Sequence, residues 1–280
     1  MTITPLQIRW DLDPEIFTLF GTFPIKYYGL LFMGGLLLSY KIVEYIFKKE
    51  EIPQEKLDKL FMYCIAGIFI GMRLGHCLFY DWEYYSEHIL EIFLPFRITD
   101  GNWQFIGYSG LASHGGGIGV IIAIILYCRK YELGVFWLLD RLAIVTPVAG
   151  AFIRLGNFFN SEIYGKPTNG DYGVIFVRDD LIPRHPTQLY EAFSYLSIFA
   201  LLWFLYFRTS IPKKQGVLFG ILLSTLFLAR LVIEFFKENQ VAFEDNMTLN
   251  MGQWLSIPFI AIGLLIIVIR YSNISFKKTI

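Results

Sequence analysis

The sequence predicts an all-α fold: a polytopic membrane protein of seven transmembrane helices, with the N-terminus outside and the C-terminus in the cytoplasm. Three observations predict it. Of 280 residues, 55% are hydrophobic and only 17% are charged, where soluble domains carry about one quarter charged residues. Seven runs approach the about 20 apolar residues that a helix needs to cross the hydrocarbon core: roughly 26–47, 60–80, 111–129, 135–159, 188–207, 215–236 and 252–271. The basic residues lie mostly on one side. The connections after the first, third and fifth runs, with the C-terminal tail, hold Lys48, Lys49, Lys56, Lys59, Arg129, Lys130, Arg208, Lys213, Lys214, Arg270, Lys277 and Lys278, against seven on the other side. Cytoplasmic loops carry the excess of Lys and Arg, which sets the orientation. The whole chain, 1–280, reads as a single integral membrane domain.

In chain order, "MTITPLQIRWDLDPEIFTLFG" holds Asp11, Asp13 and Glu15 and lacks a basic n-region and a small-residue cleavage site. It is therefore not expected to be a removable signal. "KKEEIPQEKLDK" links the first two spans. The second span carries Arg73, and an ionisable group inside a span costs roughly 2.5–3.5 kcal/mol on insertion scales, so it needs a partner or a purpose. The long loops 81–109 and 161–187 face the outer side; "DWEYYSEHILEIFLPF" in the first is apolar and aromatic enough to lie in the membrane interface.

The third span opens on "SHGGGIGV", where His114 precedes Gly115, Gly116 and Gly117. Three glycines disfavour regular helix and allow close backbone approach. His114 reads either as a surface or capping residue or, from its outer-side position, as a functional one. Asp140 and Arg141 near the cytoplasmic end of the fourth span read as snorkelling or solvated. The end of that span is "AFIRLGNFFNSEIYG". Arg154, Asn157 and Ser161 are spaced by three and four and share one helical face, flanked by Asn160 and Glu162. That face is expected to turn toward the bundle interior or a wet cavity near the outer leaflet. Gly156 thins the helix, and Gly165 with Pro167 ends it. A structural polar knot and a functional site both fit this pattern. Before the fifth span, Pro183 and Pro186 bracket His185 and fix an extended entry; Gln188 and Glu191 then begin the helix, where capping and the helix dipole account for them. In the sixth, Arg230 and Glu234 are one turn apart, spaced to neutralise each other as a buried pair or to serve a site.

Other classes are disfavoured. Lys plus Arg equals Asp plus Glu at 24 each, with no basic tail, so nucleic acid is not an expected partner. Cys64, Cys77 and Cys128 are odd in number and lie in or beside apolar runs, as buried spectators rather than a disulfide framework. His76, His88, His114 and His185 form no i, i+4 pair, so no metal is expected. No Walker loop, G-x-S-x-G or dinucleotide fingerprint occurs, and no cofactor is expected. A transporter would favour paired repeats and midplane charges, whereas the polar motif lies at the outer end of the fourth span and repeats are not evident. A seven-helix receptor or structural subunit would use the same polar residues as scaffold.

"RLGNFFNSEIYG", Arg154 to Gly165, resembles the signature of the prolipoprotein diacylglyceryl transferases, Arg-x-Gly-Asn-Phe-x-Asn-x-Glu-x-x-Gly. "YYGLLF" from Tyr27, "GMRLGHCLFYD" from Gly71, "SHGGGIGV" from Ser113, "PRHPTQLYEA" from Pro183, "RLVIEFF" from Arg230 and "MGQWLSIP" from Met251 resemble family segments in the family's order. The resemblance spans almost the whole chain. It implies a bacterial cytoplasmic (inner) membrane enzyme with its site toward the outer leaflet. Such an enzyme moves the sn-1,2-diacylglyceryl group of phosphatidylglycerol to the lipobox cysteine in the signal peptide of a prolipoprotein, releasing glycerol phosphate. Carried over by motif position are Tyr28, His114, Arg154, Asn157, Asn160, Glu162, Gly165, Arg230 and Glu234. Many members have a tyrosine where this chain has Leu226, and no role is transferred there.

That chemistry assigns roles to these residues. The nucleophile is a thiolate, whereas a free thiol has a pKa near 8.5, so His114 is the expected base. The leaving phosphodiester becomes a monoester and gains charge, which Arg154 and Arg230 would meet with planar forks. Asn157 and Asn160 offer amide donors to phosphate or glycerol, and Glu162 and Glu234 would orient the arginines.

Overall fold

The computed structural model describes residues 6–20, 23–94, 96–99, 102–105, 110–170, 172–238 and 247–272. In chain order the elements are β1 (Leu6–Trp10), β2 (Glu15–Leu19), β3 (Phe23–Lys26), α1 (Tyr27–Lys49), α2 (Gln54–Phe79), α3 (Trp82–Glu87), α4 (Ile89–Phe93), β4 (Phe96–Thr99), β5 (Asn102–Phe105), α5 (Ser113–Lys130), α6 (Val135–Phe159), β6 (Tyr172–Phe176), β7 (Pro183–Arg184), α7 (Thr187–Arg208), α8 (Val217–Ile233) and α9 (Met251–Tyr271), with 3-10 turns at Ile211–Lys213 and Glu234–Phe236. Each of the seven expected spans is helical. Six are long and apolar enough to cross a membrane: α1, α2, α6, α7, α8 with its 3-10 turn, and α9. Helix α5 has 18 residues, about 27 Å of rise, and its Ser-His-Gly-Gly-Gly opening dilutes its hydropathy. The all-α expectation omits seven short strands, which form a three-stranded and two two-stranded sheets in the connections among the described residues.

Contacts divide the chain into two compact units, one of Ile46–Leu138 and one of Met1–Tyr45 with Leu139–Ile280. In the first, α2 and α5 run antiparallel, from the Ala112 amide on the Met72 carbonyl (3.0 Å) to the Tyr127 hydroxyl on the Lys56 carbonyl (2.8 Å). Their seam is glycine on both sides. A Cβ on Gly75 would stand 2.7 Å from the Gly115 Cα, one on Gly67 would stand 2.6 Å from the Gly119 carbonyl oxygen, and Gly71 and Gly115 would each strike the other's carbonyl. The glycines after His114 therefore continue a helix rather than break it, because small residues let two membrane helices approach closely. Gly115→Leu is expected to force the seam apart, costing about 1–3 kcal/mol as overpacking does. Gly117→Ala, at a position with nothing within 4 Å of the new Cβ, should leave stability unchanged or slightly raised. Thermal unfolding of the two variants in detergent checks the contrast.

Arg73 is buried in the same unit. Its Nε donates to the Ile92 carbonyl at 3.0 Å, a second nitrogen donates to the Glu91 carbonyl, and the guanidinium lies 4.9 Å over the Tyr85 ring. The charge thus fastens α3 and α4 to α2, over a small core of Cys77, Tyr85 and Ile92. Trp82, Ile89, Leu90 and Phe93 remain exposed, the apolar surface that the sequence places in the interface.

In the second unit Asp140 is fully buried and accepts from the amides of Gly216 (2.7 Å) and Phe219 (2.9 Å). It is neither snorkelling nor solvated: it caps the otherwise unsatisfied N-terminus of α8. Arg141 is also buried, 5.8 Å over the Tyr206 ring. Helices α8 and α9 meet at Gly220 and Gly263, and Asn250 with Gln253 forms a reciprocal capping box that starts α9. Strand β1 pairs in parallel with β6, and β6 antiparallel with β7. Trp10, Phe158, Val174 and Phe176 pack together there, which ties this sheet to the exit of α6. The three cysteines are free thiols, with Cys77 and Cys128 buried.

Candidate active site

Helix α6 delivers Arg154 and Asn157 on one face, and the chain then turns sharply. Ser161 and Ile163 take left-handed backbone conformations (φ 57° and 59°), uncommon for residues other than glycine. Between them Glu162 folds back, its amide donating to the Asn157 carbonyl at 3.0 Å. Its Oε1 accepts from Asn157 Nδ2 at 2.7 Å and from Asn160 Nδ2 at 3.3 Å, and Arg154 Nη1 donates to Asn157 Oδ1 at 3.2 Å. A carboxylate only accepts, so the orientation of both amides is determined. Gln188 Nε2 donates to the Glu162 carbonyl at 2.7 Å, bringing the start of α7 against the turn. Gly165 has a packing reason: a Cβ there would stand 2.5 Å from the Phe236 carbonyl oxygen and 2.6 Å from His185 Cβ, where three segments converge.

Two side chains outside the expected set complete the cluster. Glu191, fully buried on α7, faces Arg154 Nε at 2.9 Å with Oε2 and Lys237 Nζ at 3.1 Å with Oε1. Lys237, 2% exposed, also reaches Glu234 Oε2 at 3.5 Å, while Asn250 Nδ2 donates to Glu234 Oε1 at 3.4 Å. The Arg230–Glu234 pair, one of the two readings of their spacing, does not form. The end of α8 tightens into the 3-10 turn Glu234–Phe236, where side chains three apart eclipse, and Glu234 meets Lys237 instead. Buried side-chain atoms without a hydrogen-bond partner gather here: Arg230 Nε, Asn160 Oδ1, Ser161 Oγ, Gln188 Oε1 and Glu191 Oε2, which meets Arg154 by charge at 2.9 Å but is not aligned for a hydrogen bond. Native interiors leave few such groups unpaired, and a polar ligand can use a concentration of them.

The Tyr28 ring lies against Gly156, its Cδ2 2.7 Å from where a Cβ would stand, and its hydroxyl feels the charges of Glu162 and Arg154. Tyr28, Arg154, Asn157, Asn160, Glu162, Gly165, Arg230 and Glu234 therefore all belong to one unit. Residues 14–269 match the model of the prolipoprotein diacylglyceryl transferase family. The chain belongs to this family. It is 49% identical over 260 residues to the phosphatidylglycerol–prolipoprotein diacylglyceryl transferase of Bacteroides fragilis, covering 92% of this chain and 94% of that protein. Its identity to the protein of the same name in Tolumonas auensis is 47% over 264 residues, covering 94% and 97%. For that of Chloroherpeton thalassium it is 40% over 277 residues, covering 99% of each.

In this diacylglyceryl transferase family member, His114 belongs to the other unit, Ile46–Leu138. It is exposed in the first turn of α5 and lines a cavity of about 410 Å³ with Gly75, Phe79, Tyr80, Ala112 and Ile118. Next to the Arg154 cluster, Arg184 donates to Asp180 from Nε (2.9 Å) and Nη2 (2.6 Å) and pairs with Glu238. Hydrogen bonds from Arg184 hold the Asp180 carboxyl below the usual carboxylate range. Burial lowers the His185 imidazole below its ordinary value, and its Nδ1 lies 3.2 Å from the Tyr190 hydroxyl. Among the described residues no group of three or more His, Cys, Asp or Glu could hold a metal ion. A sequence signal for Glu191 did exist. It lies past the first turn of α7, which carries no acidic residue, so the helix dipole is a weak account of it and an intramembrane carboxylate calls for a cation.

Proposed function

We propose that the Arg154 cluster is the headgroup site for diacylglyceryl transfer at the outer leaflet of a bacterial cytoplasmic membrane. The chain is a transferase. It moves the sn-1,2-diacylglyceryl group of phosphatidylglycerol to the lipobox cysteine thiol of a prolipoprotein, the first step of bacterial lipoprotein maturation. A carbon–oxygen bond to phosphate breaks and a carbon–sulfur bond forms. The thiol proton goes to a base, and glycerol phosphate leaves with more negative charge than the diester carried. His114 is the base, and its exposed position in the first turn of α5 leaves it open to a peptide. Arg154 and Arg230 meet the developing phosphate charge, Asn157 and Asn160 bind phosphate or glycerol oxygens, and Tyr28 borders them. Glu162 fixes the two amides. Glu191, rather than Glu234, orients Arg154, and Glu234 steadies Lys237.

The observation that carries this placement is the convergence of the family motif's polar side chains into one hydrogen-bonded chain, Arg154 to Asn157 to Glu162 to Asn160. To test it, purified protein is incubated with phosphatidylglycerol and a lipobox peptide, and the peptide is weighed by mass spectrometry. A diacylglyceryl mass on cysteine is expected, and none on the matching serine peptide. Phosphatidylglycerol bound but left unconsumed would sink the proposal in favour of a receptor or carrier.

Seven crossings with the N-terminus outside complete the proposal, and strand pairing supports them. Strand β1 precedes α1 and β6 follows α6, yet the two share a sheet, so an even number of crossings separates them. Helices α1, α2 and α6 make three. Helix α5, antiparallel to α2 from Met72 to Lys56, supplies the fourth. The distribution of Lys and Arg gives the direction.

A further inference from the structure

Three side-chain amides surround Glu162. Asn157 is satisfied at both ends, with Nδ2 donating to Glu162 Oε1 at 2.7 Å and Oδ1 accepting from Arg154 Nη1 at 3.2 Å. Asn160 and Gln188 are each satisfied at one end only. Asn160 Nδ2 donates to Glu162 Oε1 at 3.3 Å, and Gln188 Nε2 donates to the Glu162 backbone carbonyl at 2.7 Å. A carboxylate and a carbonyl only accept, so neither amide can be turned round, and the ends left over are oxygens. Asn160 Oδ1 and Gln188 Oε1 are buried and have no hydrogen-bond partner among the described residues. Gln188 is itself fully buried in the first turn of α7. With its nitrogen on Glu162 and its oxygen on nothing, it does not cap that helix.

We infer that Gln188 is a specificity-determining residue: its Oε1, together with Asn160 Oδ1, accepts from the two hydroxyls of the glycerol headgroup. The inference rests on the reaction proposed above. The unpartnered groups of the cluster sort by chemistry. Arg230 Nε is a donor and suits a phosphate oxygen, whereas an amide oxygen needs an O–H or N–H. The phosphodiester, the esters and the acyl chains of a diacyl lipid offer none. In phosphatidylglycerol the donors are the two hydroxyls of the terminal glycerol, one for each oriented oxygen. Because the amides are neutral, they recognise the diol without drawing Arg154 or Arg230 away from the phosphate, as a further carboxylate would. A site built to hydrogen-bond a substrate hydroxyl strongly rejects an analogue that lacks it, since its buried acceptors then stay unpaired.

The test compares two donor lipids on the full-length protein with the lipobox peptide. One is phosphatidylglycerol; the other is phosphatidylpropanol, whose headgroup has the same three carbons and no hydroxyl. The parent is expected to favour phosphatidylglycerol by at least about a hundredfold in kcat/KM, the consequence of leaving two buried acceptors unpaired. Gln188→Met keeps the length of the side chain and removes the amide. It should lower kcat/KM for phosphatidylglycerol roughly ten- to hundredfold and hold that for phosphatidylpropanol nearly constant, so that the preference falls at least about tenfold. A purely structural role, through the turn at Glu162, would lower both donors together and leave their ratio where it was. Both rates come from one sample, so the share of protein that folds cancels. If Gln188→Met transfers from neither lipid, the same ratio measured on Asn160→Ala decides. A preference that falls less than about tenfold in the deciding variant overturns the inference. The parent separates the two levels: one that transfers from neither lipid refutes the proposed reaction, whereas one that uses both lipids equally well refutes only the recognition of the diol.

Discussion

Alanine at Arg154 is expected to lower diacylglyceryl transfer by about 10²–10³-fold, the cost of removing one preorganised donor from a developing anion, while the protein stays folded. Both halves follow from its partners. The guanidinium is anchored by Glu191 at Nε and by Asn157 at Nη1, which leaves further N–H groups of its five for a ligand. Its loss does not orphan Glu191, because Lys237 remains 3.1 Å from the other carboxylate oxygen. Arg154→Lys should recover little. An ammonium is a point charge that can satisfy Glu191 but cannot also reach Asn157 and a phosphate with a rigid fork. Mass spectrometry of the lipobox peptide gives the rate, and thermal unfolding of the same samples reports the fold. If either variant transfers at near the parental rate, Arg154 does not meet the phosphate.

The helices were legible because a span is a local property. Run length and apolar content place all seven within a few residues, except that α2 begins at Gln54, directly after Pro53, its charged first turns preceding the apolar run. The strands were not legible in this way. Leu6, Ile8 and Trp10 alternate with Gln7 and Arg9, but the partner of β1 lies at Tyr172–Phe176, and nothing local announces a pairing across more than 160 residues. The glycines after His114 point to close backbone approach correctly and to helix disruption wrongly, since the approaching backbone is α2. The same division runs through the site. Arg154, Asn157, Asn160 and Glu162 were legible because their contacts lie within one helix end. Glu191 and Lys237 depend on how α7 and the turn after α8 pack against α6. The Arg230–Glu234 spacing left a pair and a site equally open: it is a true α-helical turn, with the Glu234 amide on the Arg230 carbonyl, and it is the 3-10 turn after it that brings Lys237 to the Glu234 carboxylate.

Glu191→Ala is expected to be the most destabilising substitution in the cluster. Taken as a residue that merely answers the helix dipole, Glu191 would contribute about 0.3–1 kcal/mol. The structure instead places it, fully buried, between Arg154 and Lys237. Removing one member of a buried ion pair costs about 3–5 kcal/mol, because the remaining charge is left uncompensated. Here two cations lose their shared carboxylate. Lys237 keeps Glu234 at 3.5 Å, but Arg154 keeps only the Asn157 amide oxygen. Adding Lys237→Met should therefore relieve part of the loss rather than add to it, since residues in one ion-pair network couple by about 0.5–3 kcal/mol. Glu191→Gln retains one acceptor and the volume, and should fall between the parent and alanine. Unfolding in detergent of the single and double variants distinguishes the two accounts. A loss under 1 kcal/mol for Glu191→Ala, or simple additivity with Lys237→Met, would return Glu191 to the helix dipole; a large loss eased by the second substitution makes it the shared counter-ion that holds Arg154 in place.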